Sequence, residues 1–206
     1  EHTLTPEMMS VDALKVVRTL QKAGFQAYVV GGCVRDLLLG LKPKDFDVAT
    51  NAEPDQVKSL FRRARIIGRR FQIVHVQFNR EIIEVTTFRS NQQGKNSNGT
   101  RRQTDSGMLT RDNVFGTLSD DASRRDLTIN ALYYDPIDNS LRDFSDGLND
   151  IKNRVVRIMG DPATRFREDP VRLLRVVRFA AKLGFRIESK TAEPMRRLAD
   201  NLQLVS

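Results

Sequence analysis

Cysteine and histidine are scarce in this chain, and tryptophan is absent. The single cysteine, Cys33, has no partner for an internal disulfide, and a cysteine-rich zinc site is excluded. With only His2 and His75 present, histidine-based nucleophilic or zinc chemistry lacks its parts. A lone cysteine suits a reducing compartment, so we expect a cytoplasmic protein.

Long apolar runs are missing as well. No run of about 18 apolar residues occurs, so the sequence predicts no transmembrane helix. Residues 1–5 are too polar for a signal peptide. The chain begins without methionine and stops inside a helical pattern at Ser206, so we expect it to be part of a longer protein.

Positive charge is abundant. The 206 residues include 34 Lys and Arg against 26 Asp and Glu, which gives a formal net charge of +8. Each phosphate that a protein neutralises releases counterions, so this excess predicts a polyanionic partner, and we favour nucleic acid. A charge that serves solubility alone is the ordinary alternative. The hydrophobic content of 39% is enough for a packed core.

The first ninety residues alternate between helical and strand-like patterns. Apolar residues at helical spacing over 11–23, followed by Gly24, predict the first helix. The other predicted ranges are 27–30 and 46–50 as strands, 34–39 and 54–63 as short helices, and 71–78 with 81–89 as a hairpin.

The second half begins with a change of composition. Residues 90–112 are rich in Asn, Gln, Gly, Ser and Thr, which predicts a mobile loop of functional interest. Beyond it we predict a helix over 119–130, strands over 132–134 and 141–144, and helices from residue 162. The fold class is α/β, of the α+β kind. A boundary near residue 160 separates a first domain, 1–160, from a helical region, 161–206, that we expect to be truncated.

Two glycines follow the first predicted strand. Gly31 and Gly32 permit positive φ and let a ligand approach the backbone closely. The short helix that starts there carries Arg35 and aims free N–H groups at an anion. The pair therefore predicts a triphosphate cradle, although no Gly-Lys-Ser/Thr follows as in a Walker loop.

Asp45 and Asp47 form the second constellation. They are two residues apart in a strand-like segment, so their carboxylates are predicted to share a face. Two such carboxylates repel unless a cation lies between them, and oxygen ligands favour Mg²⁺ or Mn²⁺. Alone, an Asp-x-Asp sequence is more often a turn. Beside a glycine turn in a basic chain, we favour a metal site.

A third carboxylate is needed if two metals are shared, and the sequence offers Glu84 and Asp126. Glu84 lies on an apolar strand, where it either has a function or faces solvent across the pleat. On the predicted helix, Asp126 and Asn130 share a face at i and i+4, with Arg125 beside them. An arginine that binds phosphate, beside an Asp and an Asn that bind ribose hydroxyls, suits a nucleotide pocket. The alternative is an ordinary charged start of a helix.

The last constellation opens a helix. Asp169 is predicted as the N-cap and Pro170 as part of the first turn, with Glu168 before them and Arg172 one turn on. Two acids and an arginine can offer both donors and acceptors to a base edge. The basic stripe that continues through Arg178 is more commonly a solvated face.

Taken in order, these motifs resemble those of the class II nucleotidyltransferases, a superfamily that holds CCA-adding tRNA nucleotidyltransferases and bacterial poly(A) polymerases. The resemblance implies a nucleotidyltransferase head with a small mixed sheet of five strands, flanked by helices and followed by an all-helical neck. The motifs that carry it are Gly31-Gly32-x-Val34-Arg35-Asp36, Asp45-x-Asp47, Arg124-Arg125-Asp126-Leu127-Thr128-Ile129-Asn130-Ala131, Glu168-Asp169-Pro170-x-Arg172 and Arg178-Phe179-Ala180-Ala181.

The resemblance also implies roles for metal carboxylates, for an active-site aspartate with sugar and phosphate ligands, and for residues that select the base. By motif match, Asp45 and Asp47 would be the metal carboxylates. Asp126 would be the active-site aspartate, and Arg125 and Asn130 would hold the sugar and phosphates. The residues that would select the base are Glu168, Asp169 and Arg172. The remaining nucleotide-binding candidates are Gly31, Gly32, Arg35 and Arg178, and Glu84 is a further metal candidate.

Within the superfamily, residues 66–76 resemble the segment that marks bacterial poly(A) polymerases. This implies addition of AMP from ATP to an RNA 3′ end with release of pyrophosphate, using Mg²⁺ or Mn²⁺. The alternatives are a CCA-adding enzyme that uses CTP and ATP, and a non-catalytic RNA-binding module of the same fold. No membrane span is expected, and protein partners stay open.

Overall fold

A computed structural model describes residues 1–90 and 115–202. The helices are α1 (Val11–Lys22), α2 (Gly32–Leu38), α3 (Pro54–Leu60), α4 (Leu118–Arg124), α5 (Gly147–Asn153), α6 (Pro162–Glu168), α7 (Val171–Leu183) and α8 (Ser189–Leu202). The strands are β1 (Ala27–Val30), β2 (Asp47–Thr50), β3 (Ala64–Ile67), β4 (Ile73–Gln77), β5 (Ile82–Thr87), β6 (Leu132–Asp135), β7 (Ser140–Asp143), β8 (Val155–Val156) and β9 (Arg186–Ile187). The loop predicted over 90–112 lies, from residue 91, outside the described residues.

The N-terminal helix forms as its sequence predicts. The Ser10 side chain accepts a hydrogen bond from the backbone N–H of Ala13, which caps the first turn of α1. Val16, Val17 and Leu20 lie on the buried face. The helix ends before Gly24, whose φ is 92°.

The main sheet is mixed. Over 1–90 and 115–202 it has seven strands in the order β3-β4-β5-β2-β1-β6-β7, and β2 runs parallel to β5 while the other neighbours are antiparallel. The predicted hairpin is confirmed as β4–β5. The sheet is larger than the five strands that the resemblance implied. The pattern missed β3, because this edge strand exposes Arg65 and Ile67 and shows no long apolar run.

The faces of the sheet are covered unequally. Helices α1 and α3 pack on one face over the large apolar core, which includes Val48, Val74 and Val85. On the other face a small apolar cluster joins Tyr28 and Tyr133 of β1 and β6 to Ala122 of α4. Toward β2 and β5 this second face becomes polar, and the candidates Asp47 and Glu84 lie there.

The predicted helix over 119–130 is wrong in its second half. Helix α4 ends at Arg124, and a separate 3-10 helix covers Thr128–Asn130. Between them the backbone is extended, because Leu127 forms a β-bridge with Ile158 and the backbone N–H of Met159 donates to the carbonyl of Asp126 at 2.7 Å. Asp126 and Asn130 therefore do not share a helix face.

The C-terminal region is helical except for β9, which pairs in parallel with β8. Phe166, Leu173 and Met195 of α6, α7 and α8 belong to the same apolar core as the strands of the main sheet. The predicted boundary near residue 160 is therefore crossed by strand pairing and by core contacts. In the part of the chain that the structure describes, no helix is long and apolar enough to cross a membrane.

The packing of α5 gives a stability prediction. A Cβ added at Gly147 would lie 2.2 Å from the backbone oxygen of Thr128. We expect Gly147→Ala to lower the free energy of unfolding by about 1–3 kcal/mol, because neither backbone can move without disturbing its neighbours. Denaturant unfolding followed by circular dichroism measures the change. The matched control is Asn149→Ala at an exposed position of α5, which should shift it by less than about 0.5 kcal/mol. An unchanged midpoint for Gly147→Ala would contradict this close approach.

Candidate active site

Strand register assembles the centre of the site. Asp47, the first residue of β2, is the partner of Val30 in β1 and of Glu84 in β5. Val30 is also the last residue before Gly31, so the glycine turn follows directly from a neighbour of Asp47. Registered residues on adjacent strands point to the same face. Asp47 and Glu84 therefore lie together on the polar half of the second face.

The Asp47 and Glu84 carboxyl groups are close enough to hydrogen-bond. Burial, followed by the charge of Glu84 and this hydrogen bond, raises the pKa of Asp47 to about 7, and Asp45 adds to the rise while Arg125 opposes it. A shared proton relieves the repulsion, and a cation in its place would do the same.

Asp45 precedes β2 and is exposed, while Phe46 between the two aspartates is buried. Among the described residues, no group of three or more His, Cys, Asp or Glu side chains is arranged to hold a metal ion. The structure thus brings Asp47 and Glu84 into contact, with Asp45 at the margin of the pair.

Asp126 has other contacts. Its Oδ1 accepts from the backbone N–H of Leu127 at 2.9 Å. Its Oδ2 lies 2.8 Å from Nη2 of Arg175 on α7, an ion pair without hydrogen-bond alignment. Of the two candidates for the third carboxylate, Glu84 is therefore the one in contact with Asp47, and Asp126 links the segment after α4 to α7.

The glycine turn has the geometry that the sequence suggests. Gly31 has φ 84° and ψ −142°, a conformation that L side chains rarely adopt. A Cβ at Gly31 would lie 4.0 Å from Nη1 of Arg125, and one at Gly32 would lie 3.3 Å from Nη2 of Arg35. The guanidinium groups of Arg125 and Arg35 thus both lie close to the turn. Cys33, which follows, is buried, and burial raises the pKa of its thiol to about 12, so it stays protonated near neutral pH.

Asp121 is a site residue that sequence reasoning missed. It is fully buried, and its Oδ2 accepts from Nε and Nη2 of Arg125 at 3.3 and 3.1 Å and from the Tyr133 hydroxyl at 2.5 Å. Its Oδ1 accepts from Nη2 of Arg124 at 2.9 Å and from the backbone of Arg89 at 3.0 Å. The two arginines lower the pKa of Asp121 against the opposing effect of its burial. The available signal was the i+3 and i+4 spacing of the two arginines after Asp121.

We call Asp121 with its contacts to Arg124, Arg125 and Tyr133 the Asp121 clamp. This clamp orients Arg125. Asp121 and Tyr133 engage Nε and Nη2 of its guanidinium, and Nη1 is the atom nearest to Gly31. A charged donor is therefore directed at the glycine turn beside Asp47. This arrangement suits an anionic group that enters between the turn and the carboxyl pair.

Arg35 is more enclosed than a simple phosphate ligand. It is buried, and it donates from Nη1 to Oδ1 of Asn130 at 2.7 Å and from Nε and Nη2 to Oδ1 of Asp36 at 3.1 and 2.9 Å. Its guanidinium lies 5.2 Å from the ring centroid of Phe179 on α7. Arg35 and Asn130 thus join α2, the 3-10 helix and α7 below the glycine turn.

The residues predicted to select the base surround the junction of α6 and α7. Nη1 of Arg172 donates to Oε2 of Glu168 at 2.9 Å and to the backbone oxygen of Arg165 at 2.9 Å. Asp169 follows α6 and accepts from the backbone N–H of Val171 at 3.1 Å.

The predicted cap of this junction is off by one residue, because α7 begins at Val171 with Pro170 as its N-cap residue in place of Asp169. Further along α7, Arg178 is exposed. Nη2 of Arg165 donates to the carbonyls of Arg124 and Arg125 at 2.9 and 2.8 Å, which ties the junction to the clamp.

A family model described as the poly(A) polymerase head domain matches residues 27–157. This range covers more than half of the chain and includes the glycine turn, the carboxyl pair and the Asp121 clamp. The chain belongs to this family. The related proteins of this family are nucleotidyltransferases. The mixed sheet and the polar half of its second face are therefore those of a nucleotidyltransferase head.

Two named relatives are poly(A) polymerases. The chain is 56% identical over 200 residues to poly(A) polymerase I of Salmonella typhi, and 53% identical over 201 residues to that of Haemophilus influenzae. Each match covers 97% of this chain but only 43% and 44% of the relative. The CCA-adding enzyme of Bacillus pumilus is 40% identical over 185 residues, which are 90% of this chain and 44% of that enzyme. The chain thus spans less than half the length of these relatives.

Solved structures of related enzymes share the fold. The CCA-adding enzyme of Bacillus stearothermophilus in complex with CTP matches with a TM-score of 0.74 and 34% identity, over 90% of this chain and 43% of that one. A tRNA nucleotidyltransferase complexed with a primer tRNA and an incoming ATP analog matches with a TM-score of 0.68 and 31% identity, over 92% and 51%.

The Asp121 clamp predicts a large stability effect. Asp121→Asn should lower the free energy of unfolding by about 3–5 kcal/mol, because two guanidinium groups lose their buried counter-charge. Denaturant unfolding measures the loss. The control Asp120→Asn changes the adjacent aspartate, which accepts at 3.0 Å from Thr117 at the start of α4, and should cost at most about 1 kcal/mol. Equal effects of the two changes would contradict the clamp.

The raised pKa of Asp47 predicts a pH-dependent stability. The unfolded group titrates near 3.8 and the folded group near 7, so the folded state holds the proton more tightly. Stability from this group is complete below the unfolded value and is lost as pH rises through the folded value. In EDTA, Asp47→Asn should therefore raise the melting temperature by roughly 2–4 °C above about pH 8, and have little effect near pH 4.

The control for this experiment is Asp55→Asn at an exposed position of α3. We expect its melting temperature to follow that of the unsubstituted chain across the pH range. A gain for Asp47→Asn that is independent of pH would show that the stabilisation does not come from the titration of the carboxyl pair.

Proposed function

We propose that this protein adds AMP from ATP to RNA 3′ ends without a template and releases pyrophosphate. The observation that carries the proposal is the contact of Asp47 with Glu84 beside the Gly31 turn, in a chain more than half identical to poly(A) polymerase I over 97% of its length.

At the α-phosphorus, the reaction forms one P–O bond and breaks another. The 3′ oxygen of the RNA attacks the α-phosphorus of ATP, the bond to the bridging oxygen breaks in line, and pyrophosphate leaves with the electron pair. The hydroxyl proton passes to solvent water as the new phosphodiester bond forms. The protein contributes mainly position and charge, since such transition states need little covalent help.

The carboxyl pair fits Mg²⁺ or Mn²⁺. Asp47 and Glu84 offer hard oxygen donors, and the raised pKa of Asp47 marks a place where positive charge relieves repulsion. We propose that Asp47 and Glu84 hold the ion and that Asp45, at the margin of the pair, joins them when the ion binds. When bound there, the ion lowers the pKa of the attacking hydroxyl and neutralises charge on the leaving pyrophosphate.

The other groups position the nucleotide. Nη1 of Arg125 is directed toward the glycine turn and is suited to a phosphate oxygen, and the Arg35–Asn130 contact supports the floor of the turn. We propose that Asp169 and Arg172 read the base edge, with Glu168 holding the guanidinium of Arg172.

In this arrangement residues 1–160 form the head and 161–206 begin the neck. Cytoplasmic location, expected from the single cysteine, remains a prediction.

A CCA-adding activity is the second candidate, since the related structures include complexes with CTP and with an ATP analog. Each nucleoside triphosphate is supplied separately with a labelled RNA primer and Mg²⁺, and the products are resolved by length. We expect repeated incorporation of AMP when ATP is supplied and no incorporation of CMP when CTP is supplied. Incorporation of CMP followed by a single AMP would identify a CCA-adding enzyme instead.

The matched test of the metal site is Asp47→Ala. Extension should fall by at least about 10²–10³-fold, because the attacking and leaving oxygens lose their charge stabilisation. Asp55→Asn on exposed α3 should retain full activity. Extension that survives Asp47→Ala would refute the metal assignment, and a chain that binds RNA but never extends it would be a non-catalytic module.

A further inference from the structure

Nearly all of the excess positive charge of the chain lies in one segment. Between Asp55 and Glu81 there are seven Lys and Arg and no Asp or Glu, a contribution of +7 to the net charge of +8. Across the described residues, none of these seven side chains has a carboxylate within ion-pair distance. The segment spans the end of α3, all of β3 and β4, and the turns around them.

Strand register connects this segment to the carboxyl pair. Arg65 of β3 is the partner of His75 in β4, His75 is the partner of Glu84 in β5, and Glu84 is the partner of Asp47 in β2. The four residues form one row across the sheet and point to the same face. Three strand spacings of about 4.8 Å separate Arg65 from Asp47, a path of about 14 Å.

In the part of the chain that the structure describes, the second face is open over β3 and at the start of β5. Helices α1 and α3 pack on the opposite face of β3, β4 and β5, where Ala64 and Ile66 join the core. Arg65 is exposed, and Ile67 and Ile82 on its side of the sheet are 41% and 44% exposed. We call the row from Arg65 to Glu84, with Ile67 and Ile82, the β3–β5 surface.

An aromatic ring lies in the turn that follows β3. The Phe71 ring has the Arg89 guanidinium 4.3 Å from its centroid and the Arg70 guanidinium 5.7 Å away. Arg69 and Arg70 are both exposed. Flat cationic and aromatic groups beside exposed sheet residues are features that bind single-stranded nucleic acid, because every base has a face that can stack.

We propose that the β3–β5 surface binds the 3′-terminal nucleotides of the acceptor RNA and leads them to Asp47 and Glu84. This inference rests on the proposed function, because it names the route by which that RNA reaches the carboxyl pair. A path of about 14 Å holds a few stacked nucleotides. These arginines, which have no ion pair among the described residues, neutralise the RNA phosphates, and the row ends where the terminal hydroxyl reacts.

Another use of these arginines must be separated from RNA binding. Because β3 is an edge strand of the sheet, charged side chains on it also prevent pairing with a second molecule. That role predicts aggregation when the charge is removed and no specific effect on RNA. The two explanations therefore differ in what a substitution changes.

The test uses Arg65→Glu and, separately, Arg69→Glu in the whole chain. The control is Arg18→Glu, the same charge reversal at an exposed position of α1, which packs on the opposite face of the sheet. Binding of a fluorescein-labelled oligoadenylate is followed by anisotropy across a KCl series. We expect each test variant to bind about tenfold more weakly at low salt, with a salt slope smaller by about one unit, and the control to change little.

A second measurement keeps this inference distinct from the proposed function. In primer extension, Arg65→Glu should raise the KM for RNA about tenfold and leave the KM for ATP and the kcat unchanged. If the unsubstituted chain never extends RNA but the binding differences persist, the surface stands and the proposed activity falls. If extension occurs and both variants match Arg18→Glu in RNA affinity and KM, the surface assignment is overturned, whether or not the variants aggregate.

Discussion

The parallel pairing of β2 with β5 is the constraint on which the site depends. It sets Asp47 opposite Glu84, where burial and mutual repulsion raise the pKa of Asp47 to about 7. Two carboxyl groups so close are tolerated near neutral pH only with a shared proton or a bound cation. The fold therefore maintains an unfavourable contact at the place where phosphoryl chemistry needs concentrated negative charge, as sites selected for activity over stability do.

A nearby guanidinium could relieve that repulsion and thereby disable the pair. Arg125 is near enough to lower the pKa of Asp47, yet it is held elsewhere. Asp121 and Tyr133 occupy its Nε and Nη2, so the arginine keeps a fixed counter-charge of its own and presents only Nη1 to the glycine turn. A buried acid thus keeps an active-site cation apart from the active-site anions, and both signs remain available to a substrate.

The sequence predicted what depends on local spacing. The glycine turn, the Asp47 strand and the β4–β5 hairpin follow from short-range patterns, and the structure contains them. It did not predict what distant partners decide. The helix expected through Asp126 is interrupted because that segment pairs with residues 157–159, and the buried role of Asp121 depends on Tyr133, twelve positions away. The clustering of Glu84 with Asp47 needed the strand order, which no single-residue pattern contains.

The row from Arg65 to Asp47 is positively charged at its β3 end and negatively charged at its β2 end, and both ends act on a polyanion that binds along it. Unpaired arginines around β3 repel one another, and across the described residues no ion pair relieves them, so their arrangement favours a partner that brings negative charge. The same row ends at Asp47 and Glu84, whose charge has the sign of a phosphate. A nucleic acid attracted by the β3 end of the row is repelled at the Asp47 end until a proton or cation neutralises the carboxyl pair. Binding of the nucleic acid along the sheet therefore depends both on attraction by the arginines near β3 and on neutralisation of the Asp47–Glu84 pair.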